Sequence, residues 1–315
     1  MTKNTPALGL WILSCFALLA CGSDEPRSAL VAGSGGSSDA GAHAGEHTGT
    51  ASKFSASIRM PAVQPAAEDH VCVVVDLGNA DPVWVNDVHA MLSTGSHHLI
   101  VDRRPADTAL QSQPESCEPT MAGDATRLMI AQQPDTHITL PAHVAYRLEA
   151  HQRLFLQLHY INLADHAEDI TGGVELTLAP SGDTTPSQVY SVFTGATEFE
   201  LPPREPTTVH SFVQPGQATH GVRHVFALTS HTHSLGVRSS IERVPSTDAP
   251  DSTPIHESLD WSEPPLTAFA PPLVLSADEG LRLTCEFMNT TDHVVTFGTS
   301  FHDEMCFMWL YYYDL

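Results

Sequence analysis

Short runs of apolar and β-branched residues, separated by clusters of Pro, Gly, Asp and Ser, dominate the chain from about residue 54 onwards. Such runs are typical of β-strands, and helical periodicity is absent from this part of the sequence. In the run LFLQLHYIN the leucines of Leu154–Leu158 alternate with Phe155, Gln157 and His159, so one strand face packs and the other presents an imidazole. The seven clearest runs are Val71–Leu77, His98–Val101, Leu154–Ile161, Val174–Leu178, Val222–Thr229, Leu281–Met288 and Phe307–Tyr313.

This pattern predicts an all-β fold of the sandwich or jelly-roll type. A hydrophilic stretch at Ala179–Ser187 lies near the middle of the chain and is the best candidate for a boundary between two sandwiches. We therefore predict two domains, residues 54–182 and 183–315. No repeat of fixed period is visible, which argues against a solenoid or a propeller.

The first 53 residues differ in composition from the rest. After Lys3, the uncharged run Leu8–Ala20 is long enough for a signal peptide and too short to span a bilayer comfortably. The run ends in LLAC, which resembles the lipobox of bacterial lipoproteins, so we expect residues 1–20 to be removed and Cys21 to carry a lipid anchor. An ordinary signal peptide that contains a cysteine is the alternative.

The residue after the expected lipid site is Gly22, which favours the outer membrane by resemblance to Gram-negative lipoproteins. Residues 21–53 are rich in Gly, Ser and Ala and have too few large apolar residues to form a core, so we expect a disordered linker. His43 and His47 lie in this linker and are expected to be solvated.

Charge and cysteine content narrow the class of partner. Acidic residues outnumber Lys and Arg by 37 to 14, giving a net charge of -23, which disfavours nucleic acid and anionic membrane surfaces as partners. A small molecule or a cation is favoured instead, and we expect a monomer.

Outside the signal and the lipid site, four of the six cysteines remain, and four cysteines in an exported domain suggest two disulfides.

The chain has 19 histidines, and three histidine motifs are candidates for a metal site. His231 and His233 form an H-x-H pair, and on a strand they would share one face. His97 and His98 are neighbours, so on a regular strand they would point to opposite faces and reach one metal only at a bulge, at a strand end or through different ring nitrogens. Each motif alone is weak, and His159 alone would be read as a half-buried strand residue.

A fourth motif lies near the C-terminus, where GTSFHDEMC precedes an aromatic run. Methionine is more often a core residue than a ligand, but the thioether of Met305 is a soft donor of the kind that favours Cu(I).

Taken in order, the HH, QxHY, HTH and GTS...DEMC motifs resemble the copper type II, ascorbate-dependent monooxygenases, the family of peptidylglycine α-hydroxylating and dopamine β-monooxygenases. The resemblance extends from about Ser57 to Leu315. Its supporting segments are Ile58-Arg59-Met60-Pro61 before Cys72, Gln157-Leu158-His159-Tyr160, His224-Val225-Phe226-Ala227 before the HTH motif, and Leu235-Gly236 after it.

The resemblance implies two jelly-roll domains with one copper ion in each and a solvent-filled cleft between them. His97, His98 and His159 correspond to the ligands of the copper that passes an electron. His231, His233 and Met305 correspond to the ligands of the copper that binds dioxygen and hydroxylates a C–H bond. Ascorbate would supply two electrons, one oxygen atom entering the substrate and the other leaving as water.

The sequence also departs from the peptide-amidating members of the family. Their substrate carboxylate is held by an arginine, an asparagine and a tyrosine, and this chain has Thr229, Phe307 and Trp309 at those positions. We therefore expect these three residues to contact a neutral or mainly apolar substrate. The alternative is that Phe307 and Trp309 pack inside the sandwich and that another basic residue, such as Arg223 or Arg238, holds the substrate from a different direction.

For the four remaining cysteines we hypothesise that Cys72 pairs with Cys117 and that Cys285 pairs with Cys306. Two further disulfides of the animal enzymes have no cysteines here. Two other functions are compatible with the sequence: a periplasmic copper-storage or copper-delivery protein that uses the same ligands, and a zinc hydrolase built on His231 and His233. Zinc sites seldom recruit methionine, which places the hydrolase last.

Overall fold

The computed structural model describes residues 43–44, 53–119, 127–180, 185–214 and 222–314. The predicted signal peptide, Cys21 and most of the linker lie outside these ranges. None of the described residues forms a helix long and apolar enough to cross a bilayer. The strands are β1 His43–Ala44, β2 Lys53–Val63, β3 Glu68–Asp76, β4 Val83–Leu92, β5 Ser96–Arg104, β6 Glu115–Ser116, β7 Arg127–Ala131, β8 Asp135–Thr139, β9 Val144–Leu148, β10 Arg153–Ile161, β11 Glu168–Leu178, β12 Ser187–Gln188, β13 Tyr190–Ala196, β14 Glu200–Leu201, β15 Pro206–Val213, β16 Arg223–His231, β17 Gly236–Val244, β18 His256–Ser258, β19 Thr267–Leu275, β20 Gly280–Met288, β21 Val295–Thr296 and β22 Cys306–Asp314.

The protein is all-β, as predicted, and its strands form two pairs of larger sheets. In the N-terminal half, residues 53–180, one sheet has the order β2-β11-β4-β9 with β8 added to β4, and β1 and β12 from outside this range extend it at its two edges. The other sheet has the order β6-β3-β10-β5-β7. In the C-terminal half, residues 185–314, the orders are β13-β22-β16-β19 and β15-β20-β17-β18. Among the described strands, pairing is antiparallel except for the short β9–β12 ladder and one isolated bridge.

Alternation of apolar and polar residues explains why these segments form half-buried strands. In β2, burial alternates from Phe54 to Ile58, and in β8 only the even positions Thr136 and Ile138 are buried. β10 and β22 are central strands and are buried on both faces over most of their length. Burying both faces of β10 is what brings Gln157 and His159 into the interior beside the leucines.

One of the two apolar clusters crosses from the N-terminal half into the C-terminal half. The larger buried cluster fills the N-terminal half and extends into β16 and β22 through Phe226, Trp309 and Tyr311. The Tyr311 hydroxyl accepts a hydrogen bond of 2.8 Å from the backbone N–H of Ile130, which joins β22 to β7. A second cluster, which includes Leu283, fills the C-terminal half.

Residues Asp39–Leu315 accordingly cluster as one compact unit. β12, which lies beyond the predicted boundary at residue 182, pairs with β9 of the N-terminal half. The division into domains 54–182 and 183–315 stays a prediction.

Both hypothesised disulfides are present. Cys72 of β3 is bonded to Cys117, and Cys285 of β20 is bonded to Cys306 at the start of β22. The second bond fixes the residue directly after Met305 to the neighbouring sheet.

Candidate metal centre

The pair His97 and His98 lies at a bulge in β5. His98 pairs with His159 in the β5–β10 ladder, and the next residue of β10, Tyr160, pairs with Ser96, so His97 is the extra residue. A bulge turns neighbouring side chains towards the same region, which a regular strand does not allow. This is one of the arrangements that lets both imidazoles approach a metal.

Six buried or half-buried histidines, contributed by both halves, form one cluster. Their ligand nitrogens fall into two groups, each with all three nitrogens within 4.8 Å of one another. The first group is His70, His98 and His159, and the second is His97, His231 and His233.

The cluster differs from the predicted ligand sets in two ways. His97 groups with the C-terminal pair rather than with His98 and His159, although its ring centroid is 5.2 Å from each of those two rings. His70, which the sequence analysis did not single out, takes a place beside His159. The rings of His97 and His231 are only 5.1 Å apart, so the described residues leave no open, solvent-filled cleft between the halves at this point.

Four of these histidines have a buried ring nitrogen without a hydrogen-bond partner among the described residues. They are Nε2 of His97, Nδ1 of His98, Nδ1 of His159 and Nε2 of His231. An unpartnered buried polar atom is costly, and native structures rarely leave several of them side by side. Ligation of a metal ion would satisfy all four, so the residues present fit a metal centre.

Burial keeps these imidazoles neutral, which is the form that binds metals. Loss of solvation lowers the pKa of His97, His98, His159 and His231 well below the usual value, and neighbouring histidines lower it further. Burial also lowers the pKa of His70 to about 4. At neutral pH their lone pairs are therefore available.

His159 is oriented by a carboxylate. Its Nε2 donates to Glu68 Oε1 at 3.0 Å, which leaves Nδ1 free to act as a ligand atom. The same Glu68 oxygen accepts a hydrogen bond of 2.6 Å from the backbone N–H of Phe301, in the loop that precedes Met305. Glu68 therefore links a ligand candidate of the N-terminal half to the backbone of the C-terminal half.

His231 is oriented by a glutamine from the other half. Its Nδ1 donates to Gln132 Oε1 at 2.5 Å, and the Gln132 amide nitrogen donates to the carbonyl of Ser230 and the hydroxyl of Thr229. Because the amide is held in this direction, the tautomer of His231 is set and Nε2 is left for a metal.

His233 lies beyond the end of β16, so the expectation of two histidines on one strand was wrong for this residue. A turn holds it instead, in which the Gly236 N–H donates to the His233 carbonyl at 3.0 Å. Any side chain at position 236 would meet Thr232, whose Oγ1 would lie 2.3 Å from an added Cβ. The His233 Nδ1 donates to the carbonyl of Asp303 at 3.0 Å, which again leaves Nε2 for a metal.

The carboxylate of Glu304 connects the turn at His233 to the segment that contains Met305. Its two oxygens accept hydrogen bonds from the backbone N–H groups of His233, Leu235 and Met305, at 2.9, 2.6 and 3.2 Å. Burial raises the pKa of Glu304 to about 7, and the three donors oppose that rise. These contacts give the carboxylate of Glu304 a structural role.

Met305 is buried and lines a small cavity together with His231 and His233. His70, His98 and Trp309 line the same cavity, so the thioether lies in the region of the histidine cluster. The six predicted donors are therefore brought together, with the regrouping of His97 described above.

The expected substrate contacts are placed differently. Thr229 and Phe307 are buried and line neither this cavity nor the larger one described below, and only Trp309 borders the small cavity. Phe193 stacks on both aromatic rings, at 3.9 Å from Trp309 and 4.6 Å from Phe307. Phe307 thus packs inside the sandwich, which is the alternative left open by the sequence.

The alternative basic residues are occupied elsewhere. Arg223 lies over the ring of Tyr312, at 4.3 Å from its centroid. Arg238 forms ion pairs with Glu257 and Glu286. Neither arginine lines the two cavities.

A larger cavity of about 230 Å³ lies between the two halves and reaches His97. Its walls include Ile161, Leu163 and Trp261, and two carboxylate residues, Glu168 and Glu263, also line it. No Lys or Arg occurs among the lining residues that the structure describes.

These features define an all-β protein with a buried histidine cluster that can bind a transition metal. Comparison with protein families is more specific: residues 195–315 match the C-terminal domain of the copper type II ascorbate-dependent monooxygenases. The match supports the family at the level of this domain and implies copper as the metal.

Comparisons of whole chains add little. No curated protein matches the sequence. Among solved structures, the major capsid protein P2 of bacteriophage PM2 is 10% identical with a TM-score of 0.33, over 83% of this chain and 98% of the capsid protein. The Sputnik virophage structure is 9% identical with a TM-score of 0.25, over 96% of this chain and 91% of the other. These scores are too low to support a conclusion about fold or function.

Proposed function

We propose that the protein is a copper-dependent monooxygenase that hydroxylates a C–H bond of a small molecule. Dioxygen is the oxidant and an ascorbate-type reductant supplies two electrons, so that one oxygen atom enters the product and the other leaves as water. The observation that carries the proposal is a buried cluster of histidines with unpartnered ring nitrogens next to Met305. His231, His233 and Met305 lie in the segment that matches the C-terminal domain of such enzymes.

The residues of the cluster are suited to this metal. When bound, copper supplies one-electron redox chemistry and the activation of dioxygen, and imidazole suits both of its common oxidation states. His97, His98 and His159 of the N-terminal half would hold one ion, and His231, His233 and Met305 of the C-terminal half would hold the other. The thioether favours the reduced ion at the second site.

The polar contacts around the cluster have a defined part in this function. Glu68, Gln132 and the Asp303 carbonyl each accept the second ring N–H of a histidine, which points the other nitrogen at the ion. Burial keeps water away from the ligands and keeps the imidazoles unprotonated.

We place the substrate in the cavity of about 230 Å³ next to His97. Its apolar walls favour an apolar body through burial, worth roughly 25 cal/mol for each Å² removed from water. Glu168 and Glu263 would repel a carboxylate, and no lining residue that the structure describes is a Lys or Arg. A neutral, mainly apolar small molecule therefore fits better than a peptide with a free C-terminus.

Metal analysis and oxygen uptake test the proposal. Purified protein is expected to bind two copper ions and to consume oxygen in the presence of ascorbate and a suitable apolar substrate. The variant Met305→Ile should lose sulfur scattering from the X-ray absorption spectrum of the reduced protein. Copper binding without ascorbate-dependent oxygen uptake would instead favour a copper-storage or copper-delivery protein.

A substrate comparison tests the choice of cavity. We expect uncharged aromatic substrates to be hydroxylated more efficiently than a peptide with C-terminal glycine. Replacing Leu163, an exposed residue of the cavity wall, by Asp should raise KM for the uncharged substrates. Efficient turnover that depends on the peptide carboxylate would contradict the apolar cavity and leave the copper mechanism in place.

We also propose export of the protein and anchoring of Cys21 in the outer membrane by acyl chains. The support is the LLAC segment of the sequence. Labelling with a radioactive fatty acid should mark the wild-type protein and leave Cys21→Ser unlabelled; equal labelling of both would contradict the anchor.

A further inference from the structure

The last strand, β22, carries an oxidisable aromatic ring at every second position of its C-terminal part. Trp309, Tyr311 and Tyr313 belong to the apolar cluster of the N-terminal half, whereas Leu310 and Tyr312 belong to the other cluster. The first three side chains therefore share one face of the strand and follow one another at intervals of about 7 Å. They form a row with one end at Trp309 and the other at Tyr313.

The Trp309 end of the row lies at the histidine cluster. Its ring is 5.9 Å from that of His231, and it borders the small cavity that Met305 also lines. Trp309 is 2% exposed, and its Nε1 has no hydrogen-bond partner among the described residues. An oxidisable indole is thus placed next to the metal-ligand candidates of the C-terminal half.

The Tyr313 end of the row approaches the surface. Tyr313 is 9% exposed, and its ring stacks on that of the half-buried His224 with centroids 5.0 Å apart. The ring of Phe226 is 6.3 Å from that of Tyr311 and 6.5 Å from that of Tyr313, so aromatic side chains surround the outer part of the row. The row therefore leads from the metal centre to the edge of the protein through packed aromatic rings.

We propose that Trp309, Tyr311 and Tyr313 form a path that carries electrons from the surface to the metal centre when no substrate is bound. The proposal rests on the copper function proposed above. An oxidant formed at the metal centre reacts with a C–H bond when the substrate is present. Without the substrate it would attack the ligands, and the thioether of Met305 is readily oxidised to a sulfoxide. The path protects the ligands by supplying the missing electron.

Each transfer along the path moves one electron and is balanced by the next transfer. Trp309 gives one electron to the oxidant, Tyr311 then reduces Trp309, and Tyr313 reduces Tyr311. An ascorbate-type reductant in solution finally reduces Tyr313. An oxidised tyrosine releases its hydroxyl proton and recovers a proton when it is reduced, and Tyr313 can exchange that proton with water at the surface.

A buried carboxylate is available for the proton of Tyr311. Asp102 is fully buried, and Arg127 binds its Oδ1 at 3.0 Å, whereas its Oδ2 has no hydrogen-bond partner in the described part of the chain. Burial, together with the charge of the nearby Asp102, raises the pKa of Tyr311 above its usual value. The Tyr311 oxygen accepts a hydrogen bond from the Ile130 N–H, so its own proton is directed elsewhere. Asp102 can hold that proton until Tyr311 is reduced.

The experiment detects the tyrosyl radical rather than turnover. Full-length, copper-loaded protein is reduced, mixed with hydrogen peroxide in the absence of substrate, frozen and measured by electron paramagnetic resonance. The wild-type protein is expected to show a long-lived tyrosyl radical, and Tyr313→Phe is expected to lose it. Tyr312→Phe is the matched control, because it removes the same hydroxyl group from the opposite face of β22 and should leave the signal unchanged.

Peptide mapping by mass spectrometry measures the damage to the ligands in the same samples. The oxidised fraction of Met305 should be severalfold higher in Tyr313→Phe than in the wild type or in Tyr312→Phe. Copper content before the treatment should be equal in all three proteins. If Tyr313→Phe does not fold, Trp309→Phe decides, because it removes the first ring of the row and must also abolish the tyrosyl radical.

Failure of this inference can be told from failure of the proposed function. Equal radical yield and equal oxidation of Met305 in the three proteins overturn the path. A wild-type protein that hydroxylates a substrate but forms no tyrosyl radical also overturns the path and leaves the proposed function in place. Absence of copper binding by the wild-type protein overturns both.

Discussion

At the level of single residues, hydrogen-bond acceptors next to the histidine cluster determine which ring nitrogen of a histidine is left without a hydrogen-bond partner. Gln132 does this for His231 across the boundary between the halves, and Glu68 does it for His159. These contacts explain why imidazoles so deeply buried are suited to binding metal rather than to packing alone.

Replacing Gln132 by Met should weaken copper binding by about tenfold to a hundredfold, because the His231 tautomer is no longer held. Chelator competition measures the affinity. Gln133→Met is the matched control, since Gln133 is half-buried and its side-chain amide donates a long hydrogen bond of 3.5 Å to the Glu263 carbonyl. Equal affinities of the two variants would show that the Gln132 contact does not matter.

Replacing Glu304 by Gln should destabilise the metal-free protein by about 2 kcal/mol or more. The amide keeps one acceptor oxygen, so at least one of the backbone N–H groups now bound to Glu304 is left buried and unpaired. Denaturant unfolding measures the loss. The neighbouring change Asp303→Asn, at a half-buried residue with a single weak backbone contact, should cost much less.

The sequence predicted which metal ligands come together better than it predicted how they divide into two groups. His98, His159, His231, His233 and Met305 are near one another as expected from the order of the motifs. His70 carries no local motif, and its place follows only from its register opposite His159. Gln132 could not be found from sequence either, because its contact with His231 joins residues 99 positions apart.

At the level of secondary structure, the seven predicted runs all correspond to strands, with ends that differ by at most three residues, except that β11 begins six residues before the predicted run. These runs are the most apolar ones, which sequence patterns detect best. The shorter and more polar strands, such as β6 and β14, depend on their neighbours for pairing and were not predicted.

The turn between β16 and β17 makes a specific prediction. Gly236→Ala should destabilise the protein and displace His233, because the new methyl group would lie 2.7 Å from Thr232 Cβ. Gly173→Ala is the control, since an added Cβ there has its nearest neighbour at 3.7 Å. We expect a loss of stability and of copper affinity for the first variant only, measured by unfolding and by chelator competition.

At the level of the whole molecule, buried neutral histidines make stability depend on pH. The ring nitrogens of His256 form hydrogen bonds with the hydroxyls of Ser230 and Thr267, at 2.8 Å each. Burial lowers the pKa of His256 to about 4. At pH values between about 4 and the ordinary pKa of 6.5, the His256 imidazole binds a proton in the unfolded chain but not in the folded protein. Stability therefore falls as the pH drops from about 6.5 to about 4, by roughly 3 kcal/mol for this residue.

Comparison of wild type with His256→Gln isolates that contribution from the other histidines. The variant should lose less stability than the wild type between pH 7 and pH 4.5 in denaturant titrations of the metal-free protein. Parallel pH dependence of the two proteins would mean that His256 does not titrate on unfolding.

The apolar cluster that crosses from the N-terminal half into β16 and β22 has a consequence for dissecting the protein. The segment that matches the family model, residues 195–315, includes Phe226, Trp309 and Tyr311, which bury their rings against the other half. Expressed alone, that fragment would expose an aromatic surface to water and tend to aggregate. The matched segment is thus defined by sequence similarity alone, and we expect both halves to unfold together and to resist proteolysis as one unit.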